Sequence, residues 1–454
     1  MCTPHVARRG LAAAAAAFKQ EATTATFVAP ELQVKVTPLG SGVTVASVDC
    51  DGAVSRVGLA FRAGSRHEPL HQLGVAHRLR NCVGLGSADM SQTQMMHQVG
   101  FVGGALQATL TKDLLLAEMD VLRNYTETAL HVLGETSCET SRPKWMISDG
   151  DDHLAMDVHD YLADQPRRLY DLVHSAAFRA GGLGNPLVGV SNGKPRTFSA
   201  DELAAFARSR LLSGETAVVG VNVEHLDLVS FATDYLPVAA GSAPKAPAAV
   251  YRSGDVRQEV NGALTHVAVV GEGCGLNDKK GAATQAVLAS LLGNGPQMTY
   301  SDGNGLGKAA VAATEASGGK PFVVSSFSAV HSDVGLVGVY LSAPGNAPLA
   351  EMLRASVKAA RQLASSVDAA DLKRAKNQAT MNVYLSMEER QGLLSDLAAQ
   401  ALATGTNDSP ADVIKAIDAV TAQDVQAAAK KAFGGKLSLG AVGRVGSVPY
   451  ADEL

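Results

Sequence analysis

The sequence predicts an α+β fold made of two homologous halves of roughly 200 residues each. Three observations predict it. The chain has 454 residues, too long for one ordinary domain. The stretch Ala239 to Ala249 (AAGSAPKAPAA) loses all hydrophobic periodicity and reads as an interdomain linker. The same order of strands, helices and a capped helix occurs before that linker and again after it. The organisation read from these features is a leader over residues 1–29, a first half over 30–238, the linker over 239–249 and a second half over 250–454.

The first half opens with two short β-prone runs, Val34 to Val36 and Gly42 to Ser47, around a turn at Pro38–Gly40. Val57 to Phe61 reads as a strand and Arg62 to Gln72 as a loop. A helix carrying His77 follows. Gly103-Gly104 marks a turn, after which Ala105 to Thr111 alternates like a strand. Leu115, Met119, Leu122, Thr126, Ala129 and Leu133 recur at spacings of three and four, which predicts one long helix over Asp113 to Leu133. Further helices are expected over Asp149–Asp164 and Pro166–Arg179, stopped by the turn Gly181 to Pro186. Ser199-Ala200-Asp201-Glu202 is a capping box opening a helix that leads into the strand Ala217 to Val221.

The second half repeats this. Leu264 to Val270 matches the strand at Val57, and the helix Asp278 to Leu292 matches the one with His77. Gly335 to Ser342 is matched to the strand at Ala105. The stripe Leu349, Leu353, Val357, Ala360 and Leu363 is matched to the one from Leu115. Thr421-Ala422-Gln423-Asp424 repeats the capping box, and Leu437 to Val442 repeats the strand at Ala217.

Composition excludes several functions. With 46% hydrophobic residues the chain can bury a large core; with 18% charged and a net charge of −5 it is no nucleic-acid binder by electrostatics. No apolar run approaches the roughly 20 residues that span a bilayer, so membrane contact is expected only through partners or at the periphery. Cys2, Cys50, Cys82, Cys138 and Cys274 are odd in number and scattered, as in a reducing compartment. The first residues carry Arg8, Arg9 and Lys19 with no acid before Glu21, the pattern of a mitochondrial presequence. A secretory signal with Leu11 to Phe18 as its apolar region is the rival, against which stand the Ala-dominated run and the cysteine usage. The ending Ala451-Asp452-Glu453-Leu454 lacks the basic residue or His that opens an ER-retention tail.

One stretch bears on chemistry. Gly74 to Asn81 (GVAHRLRN) lays His77-Arg78-Leu79-Arg80-Asn81 over the zinc-peptidase frame H-x-x-E-H. Two His at i and i+4 share a helix face and grip one ion, while the Glu takes a proton from bound water. Here His77 survives, Arg80 replaces the base and cannot accept a proton, and Asn81 replaces the second ligand. Asp151, Asp152, His153, Asp157, His159 and Asp160 form an acidic run that reads as a solvated helix face rather than a metal site. Ser301 to Lys308 (SDGNGLGK) fails the phosphate-loop pattern at both ends, with Asp302 and Ala309 at the key positions. There is no haem-attachment C-x-x-C-H, no iron–sulfur cysteine set and no G-x-S-x-G elbow. No cofactor is expected.

The broken frame, together with Leu291 to Pro296 (LLGNGP), Val330 to Tyr340 (VHSDVGLVGVY), Ala375-Lys376-Asn377 and Pro449 to Leu454 (PYADEL), resembles the family of pitrilysin-type zinc peptidases and mitochondrial processing peptidase, in particular its non-catalytic core proteins of respiratory complex III. The likeness covers nearly the whole chain after the leader. It implies that each half is a mainly antiparallel sheet packed with helices, and that the halves enclose a cavity. Carried over residue by residue, His77 falls on the first ligand, Arg80 on the base and Asn81 on the second ligand. Asp157 falls loosely on the third ligand, a Glu on a downstream helix in active members. The four residues are thus expected to be the relic of a metal site, with no catalytic, metal-binding or cofactor-binding residue left. The function implied is that of a structural and assembly subunit of mitochondrial ubiquinol–cytochrome c reductase. It would work on the matrix side of the inner membrane, with core protein 1, cytochrome b, the c-type cytochrome and the Rieske protein as partners in a dimeric complex. No nucleic acid is expected. A non-catalytic or weakly active processing-peptidase subunit is the alternative. An active zinc endopeptidase would need Glu and His at positions 80 and 81.

Overall fold

The computed structural model describes residues 33–293 and 307–454. The leader, Asn294 to Pro296 and most of the glycine-containing loop before Lys308 lie outside the described residues. The strands before the linker are β1 (Val34–Pro38), β2 (Thr44–Val48), β3 (Val54–Phe61), β4 (Ala105–Leu110), β5 (Leu115–Leu122), β6 (Val190–Ser191), β7 (Lys194–Pro195) and β8 (Thr216–Val221). After it come β9 (Asp255–Glu259), β10 (Leu264–Glu272), β11 (Val323–Val330), β12 (Gly335–Pro344) and β13 (Ser438–Gly443).

Two mixed sheets result, with orders β1-β2-β8-β3-β5-β4 and β11-β12-β10-β13-β9; β6 and β7 form a separate hairpin. All neighbours are antiparallel except β2 with β8 and β13 with β9. The orders coincide strand for strand once β1 is set aside, so β4, β5, β3, β8 and β2 answer to β11, β12, β10, β13 and β9. Central strand β3 sets Leu59 between Ala117 of β5 and Val218 of β8, all fully buried.

Two expectations fail here. Leu115 to Leu122 is strand β5, and the helix begins only at Thr126 and ends at Ser137. Leu115, Leu116, Ala117 and Met119 are all buried, because both faces of β5 are covered. A strand covered on both faces presents a continuous apolar run, in which spacings of three and four arise without a helix. For the same reason the strand from Gly335 answers to β5, not to the one at Ala105. The true counterpart of β4 is β11, a Ser-rich edge strand (VVSSFSAV) with little hydrophobic signal.

Each sheet carries its own helices on one face. The first core gathers Leu130 and Leu133 of helix Thr126–Ser137, Leu203 and Phe206 of helix Ala200–Arg210, and Leu228 of helix His225–Asp234. The second gathers Val287 and Leu291 of helix Lys279–Leu292, Met352 and Leu353 of helix Leu349–Gln362, and Val425 and Phe433 of helix Ala422–Phe433. Both expected capping boxes are formed, Ser199 with Glu202 and Thr421 with Asp424.

The opposite faces are covered by exchange. Helix Gln165–Phe178, which precedes the linker, packs on β13, β10 and β9. Helix Arg390–Thr404, which follows it, packs on β8, β3 and β2. Leu169, Val173 and Phe178 form a mixed core with Ala268, Val270 and Val442 of the second sheet. Leu393, Leu394, Leu397 and Ala401 are buried against the first. Glycines in the sheets make room: a Cβ on Gly58 would press on Leu394 at 3.1 Å, and one on Gly440 would meet Val173 at 2.7 Å. Burying each of these Leu and Val side chains contributes about 1.5–3 kcal/mol. Neither sheet has both faces covered without the other half.

Candidate functional site

The helix bearing His77 is short, Val75–Arg80, and its entry is built by Glu68. That buried carboxylate accepts from the amides of Gly74 and Ala76, both at 2.8 Å, satisfying two of the donors a helix start leaves open. Burial pushes its carboxyl up to about 7, against the pull of those two amides. Gly74 has φ +94°, and a side chain there would run into the backbone of Gly189. Val75, Ala76 and Leu79 anchor one face of the helix in the first core. His77 is left on the other face, 2% exposed, opposite helix Asp151–Ala163.

The structure brings His77, Arg80, Asn81 and Asp157 together. His77 Nε2 lies 2.5 Å from Asp157 Oδ2, and Arg80 Nη2 lies 2.5 Å from the same oxygen. Arg80 also donates to Asn81 Oδ1 at 2.7 Å, and Asn81 Nδ2 sits 3.4 Å from His77 Nε2. Burial favours the neutral carboxyl of Asp157, but the His77 hydrogen bond and the Arg80 charge outweigh it and hold the group at about 2. Ionised, Asp157 can only accept, so the proton of the contact is on His77 Nε2. Burial first, then the Arg80 charge, lowers the His77 imidazole below its ordinary value despite the Asp157 contact.

This arrangement does not fit zinc. A catalytic site offers three protein ligands and an open position. Here the imidazole nitrogen that would bind an ion carries a proton, and a guanidinium stands against the carboxylate. No group of three or more His, Cys, Asp or Glu placed to hold a metal occurs among the described residues. In the acidic run, Asp152, His153, His159 and Asp160 are exposed, Asp151 pairs with Arg78 at 2.5 Å, and Asp157 turns inward.

A second cluster, not read from the sequence, lies between the halves beside a cavity of about 850 Å³. The β4–β5 turn (Thr111 to Leu114) and its counterpart, the β11–β12 turn (His331 to Val334), meet there. Each carries an aspartate, and both aspartates grip Arg66: Asp113 at 3.2 Å and Asp333 at 2.8 and 2.5 Å. Arg66 also reaches Pro247 O in the linker at 3.3 Å, and Asp333 accepts from the amide of Ala249 at 2.9 Å. His174 on the exchanged helix gives its Nδ1 proton to Tyr170 O at 2.7 Å and meets His331 Nε2 at 2.9 Å, while His331 Nδ1 faces Asp113 at 3.3 Å. Lys112, fully buried, donates to Asp171 and to Asn185 O, both at 2.6 Å. The repeated aspartate in two corresponding turns was the available sequence signal. None of His77, Arg80, Asn81 and Asp157 lines this cavity.

Residues 44–191 match the family model described as Insulinase (Peptidase family M16), and residues 197–379 match the one described as Peptidase M16 inactive domain. The chain is 30% identical to cytochrome b-c1 complex subunit 2, mitochondrial, of Rattus norvegicus, over 93% of this chain and 92% of that one. It is 24% identical to mitochondrial-processing peptidase subunit alpha of Solanum tuberosum, over 93% of this chain and 84% of that one. Among solved structures, a chain of complex III2 from Candida albicans, Inz-5 bound, aligns with a TM-score of 0.81 at 20% identity, covering 93% of this chain and 98% of that one. That last likeness is one of fold. The chain belongs to the M16 peptidase family, within the branch of the mitochondrial cytochrome b-c1 complex subunit 2 proteins.

Proposed function

We propose that this chain is a structural and assembly subunit of mitochondrial ubiquinol–cytochrome c reductase, in the place of core protein 2, with no catalytic site and no redox centre of its own. The observation that carries the reading is the His77 cluster: in a chain similar to subunit 2 over 93% of its length, the frame that would hold zinc is closed by its own Arg80 and Asp157. We read His77, Arg80, Asn81 and Asp157 as the relic of that frame. The processing-peptidase reading has less support, since the relative of that name stands at 24% identity.

The chain then works through its surfaces, within a dimeric multi-subunit complex. Its direct partners are core protein 1 and, through the membrane part, cytochrome b, the c-type cytochrome and the Rieske protein. We place it peripherally, on the matrix side of the inner membrane; no helix among the described residues is long and apolar enough to cross a membrane. Met381, Tyr384 and Leu385 stand exposed at spacings of three and four on helix Ala369–Glu388, an apolar strip of the kind that stable interfaces cover. The basic leader is removed on import, ahead of Pro30.

The test is co-purification. Mitochondria solubilised in mild detergent and resolved on a native gel should carry the chain in the haem-bearing reductase band. The same material, dialysed, should hold no stoichiometric zinc in this chain and cleave no presequence peptide. One tightly held zinc with chelator-sensitive cleavage would overturn the reading.

A further inference from the structure

We propose that the cavity between the two halves binds a small organic anion carrying two or more carboxylate or phosphate groups, held by His67, Arg210 and Lys245. This goes beyond the assembly role and does not depend on it. The observation is an imbalance of charge in the cavity wall. Its acids are already committed: Asp113 and Asp333 to Arg66, and Glu215 to Arg62 at 3.3 Å through one oxygen, to Ser242 Oγ at 2.8 Å and the Ala243 amide at 3.2 Å through the other. Lys112 faces Asp171.

Arg210 and Lys245 line the same wall and make no hydrogen bond or close ion pair through their side chains among the described residues, although the Glu215 charge, already paired with Arg62, also reaches Arg210. Arg210 Nε is buried and unpartnered, and so is His67 Nδ1. Buried polar atoms of this kind are rarely left open in a folded protein; Arg210 Nε can only donate, and His67 Nδ1 donates in the tautomer that carries its proton there. The field they make is felt at His67, whose imidazole is pushed down to about 4, by burial first and then by the Arg210 charge, with Arg66 and Arg62 adding and Asp113 opposing.

The chemistry of the occupant follows from the wall. Guanidinium forks match the paired oxygens of carboxylate and phosphate. A basic peptide meets only repulsion from Arg210 and Lys245. Leu114, Leu116, Tyr170, Leu276 and Leu402 supply apolar surface beside the cations, and about 850 Å³ lies within the usual size of small-molecule pockets. An organic anion uses both parts of the wall; chloride uses neither the forks nor the room.

The experiment uses the purified full chain with citrate and inorganic pyrophosphate as probes, at ionic strength held constant with sodium chloride. Calorimetry measures binding, and the His67 ring is followed by NMR titration. Binding of either probe is expected, with the His67 titration moving up by about one unit or more, because an anion beside it favours the imidazolium. Binding of citrate alone assigns a polycarboxylate, and of pyrophosphate alone a phosphate compound. Arg210→Gln and Lys245→Gln should each weaken binding about tenfold or more. Thermal unfolding checks that both remain folded; should Arg210→Gln unfold, the exposed Lys245→Gln carries the test. Absence of binding by both probes, affinity unchanged in the folded variants, or a His67 titration that does not move would each overturn the proposal.

Discussion

The two buried clusters of charge differ in how completely they answer themselves. Around His77 the charges that touch answer one another: Arg78 has Asp151, and Arg80 meets Asp157, which also accepts from His77, while Arg167 adds its charge from farther off. Around the cavity the acids are used up and Arg210 and Lys245 remain. The first cluster is closed and offers nothing to a ligand. The second couples the halves at one end, through Arg66, and stays open at the other. A metal frame is silenced here without removing its polarity: a guanidinium supplies the positive charge that an ion would have brought. Polarity alone therefore does not mark an active site; unmatched polarity does.

The largest effect should separate two arginines of the same cavity. Arg66→Met removes the buried cation that Asp113 and Asp333 share and should cost about 3–5 kcal/mol in urea unfolding. Arg210→Gln removes a cation that makes no close ion pair and feels only the charge of Glu215, already paired with Arg62, and should change stability by no more than about 0.5 kcal/mol. Equal losses would mean that the cavity wall is as closed as the His77 cluster.

Reopening the closed cluster comes next. Arg80→Glu with Asn81→His rebuilds the frame and frees Asp157, giving a ligand set of His77, Asp157 and the imidazole introduced at position 81. Zinc affinity, read by competition with a chelating dye, should rise at least about a hundredfold over the wild-type chain. Unchanged affinity would show that something other than Arg80 and Asn81 keeps the metal out.

A smaller effect lies in acid. Asp157 is held at about 2 against an ordinary 3.8, so its contribution is complete above about pH 4 and lost as pH falls through 2. It should amount to about 2 kcal/mol, and His77→Gln with Arg80→Met should remove most of that acid-dependent loss. The lowered His77 group has the same sign, since the unfolded chain takes up its proton first as pH falls below 6.5. The smallest effect belongs to the outer face of the same helix: His153→Ala and His159→Ala, both exposed, should alter unfolding by less than about 0.5 kcal/mol.

Much of this was legible in the residues. The duplication showed in two capping boxes and in strands repeated across the linker, and the broken frame showed in His77, Arg80 and Asn81. Asp157 was reached only through family resemblance, because its partnership with His77 spans 80 positions and two helices. The misread segment from Leu115 failed for a physical reason: helix Arg390–Thr404 covers the far face of the first sheet, and a doubly covered strand loses its alternation. That exchange of helices has no local sequence signal, since each helix looks like an ordinary member of its own half. The cavity cluster was missed for the same reason, as Arg66 meets Asp333 only after the halves pack.

The most direct measurement is genetic. Cells depleted of this chain are given back either the wild-type chain or the His77→Ala, Asp157→Ala variant, and the reductase is followed by native gel and by electron transfer from ubiquinol to cytochrome c. Depletion should remove the assembled complex, and the variant, once shown to be folded and normally abundant, should restore complex and activity as the wild type does. An intact, active complex in the depleted cells would contradict the assembly role. A folded and abundant variant that fails to restore the complex would show that the closed His77 cluster still has work to do.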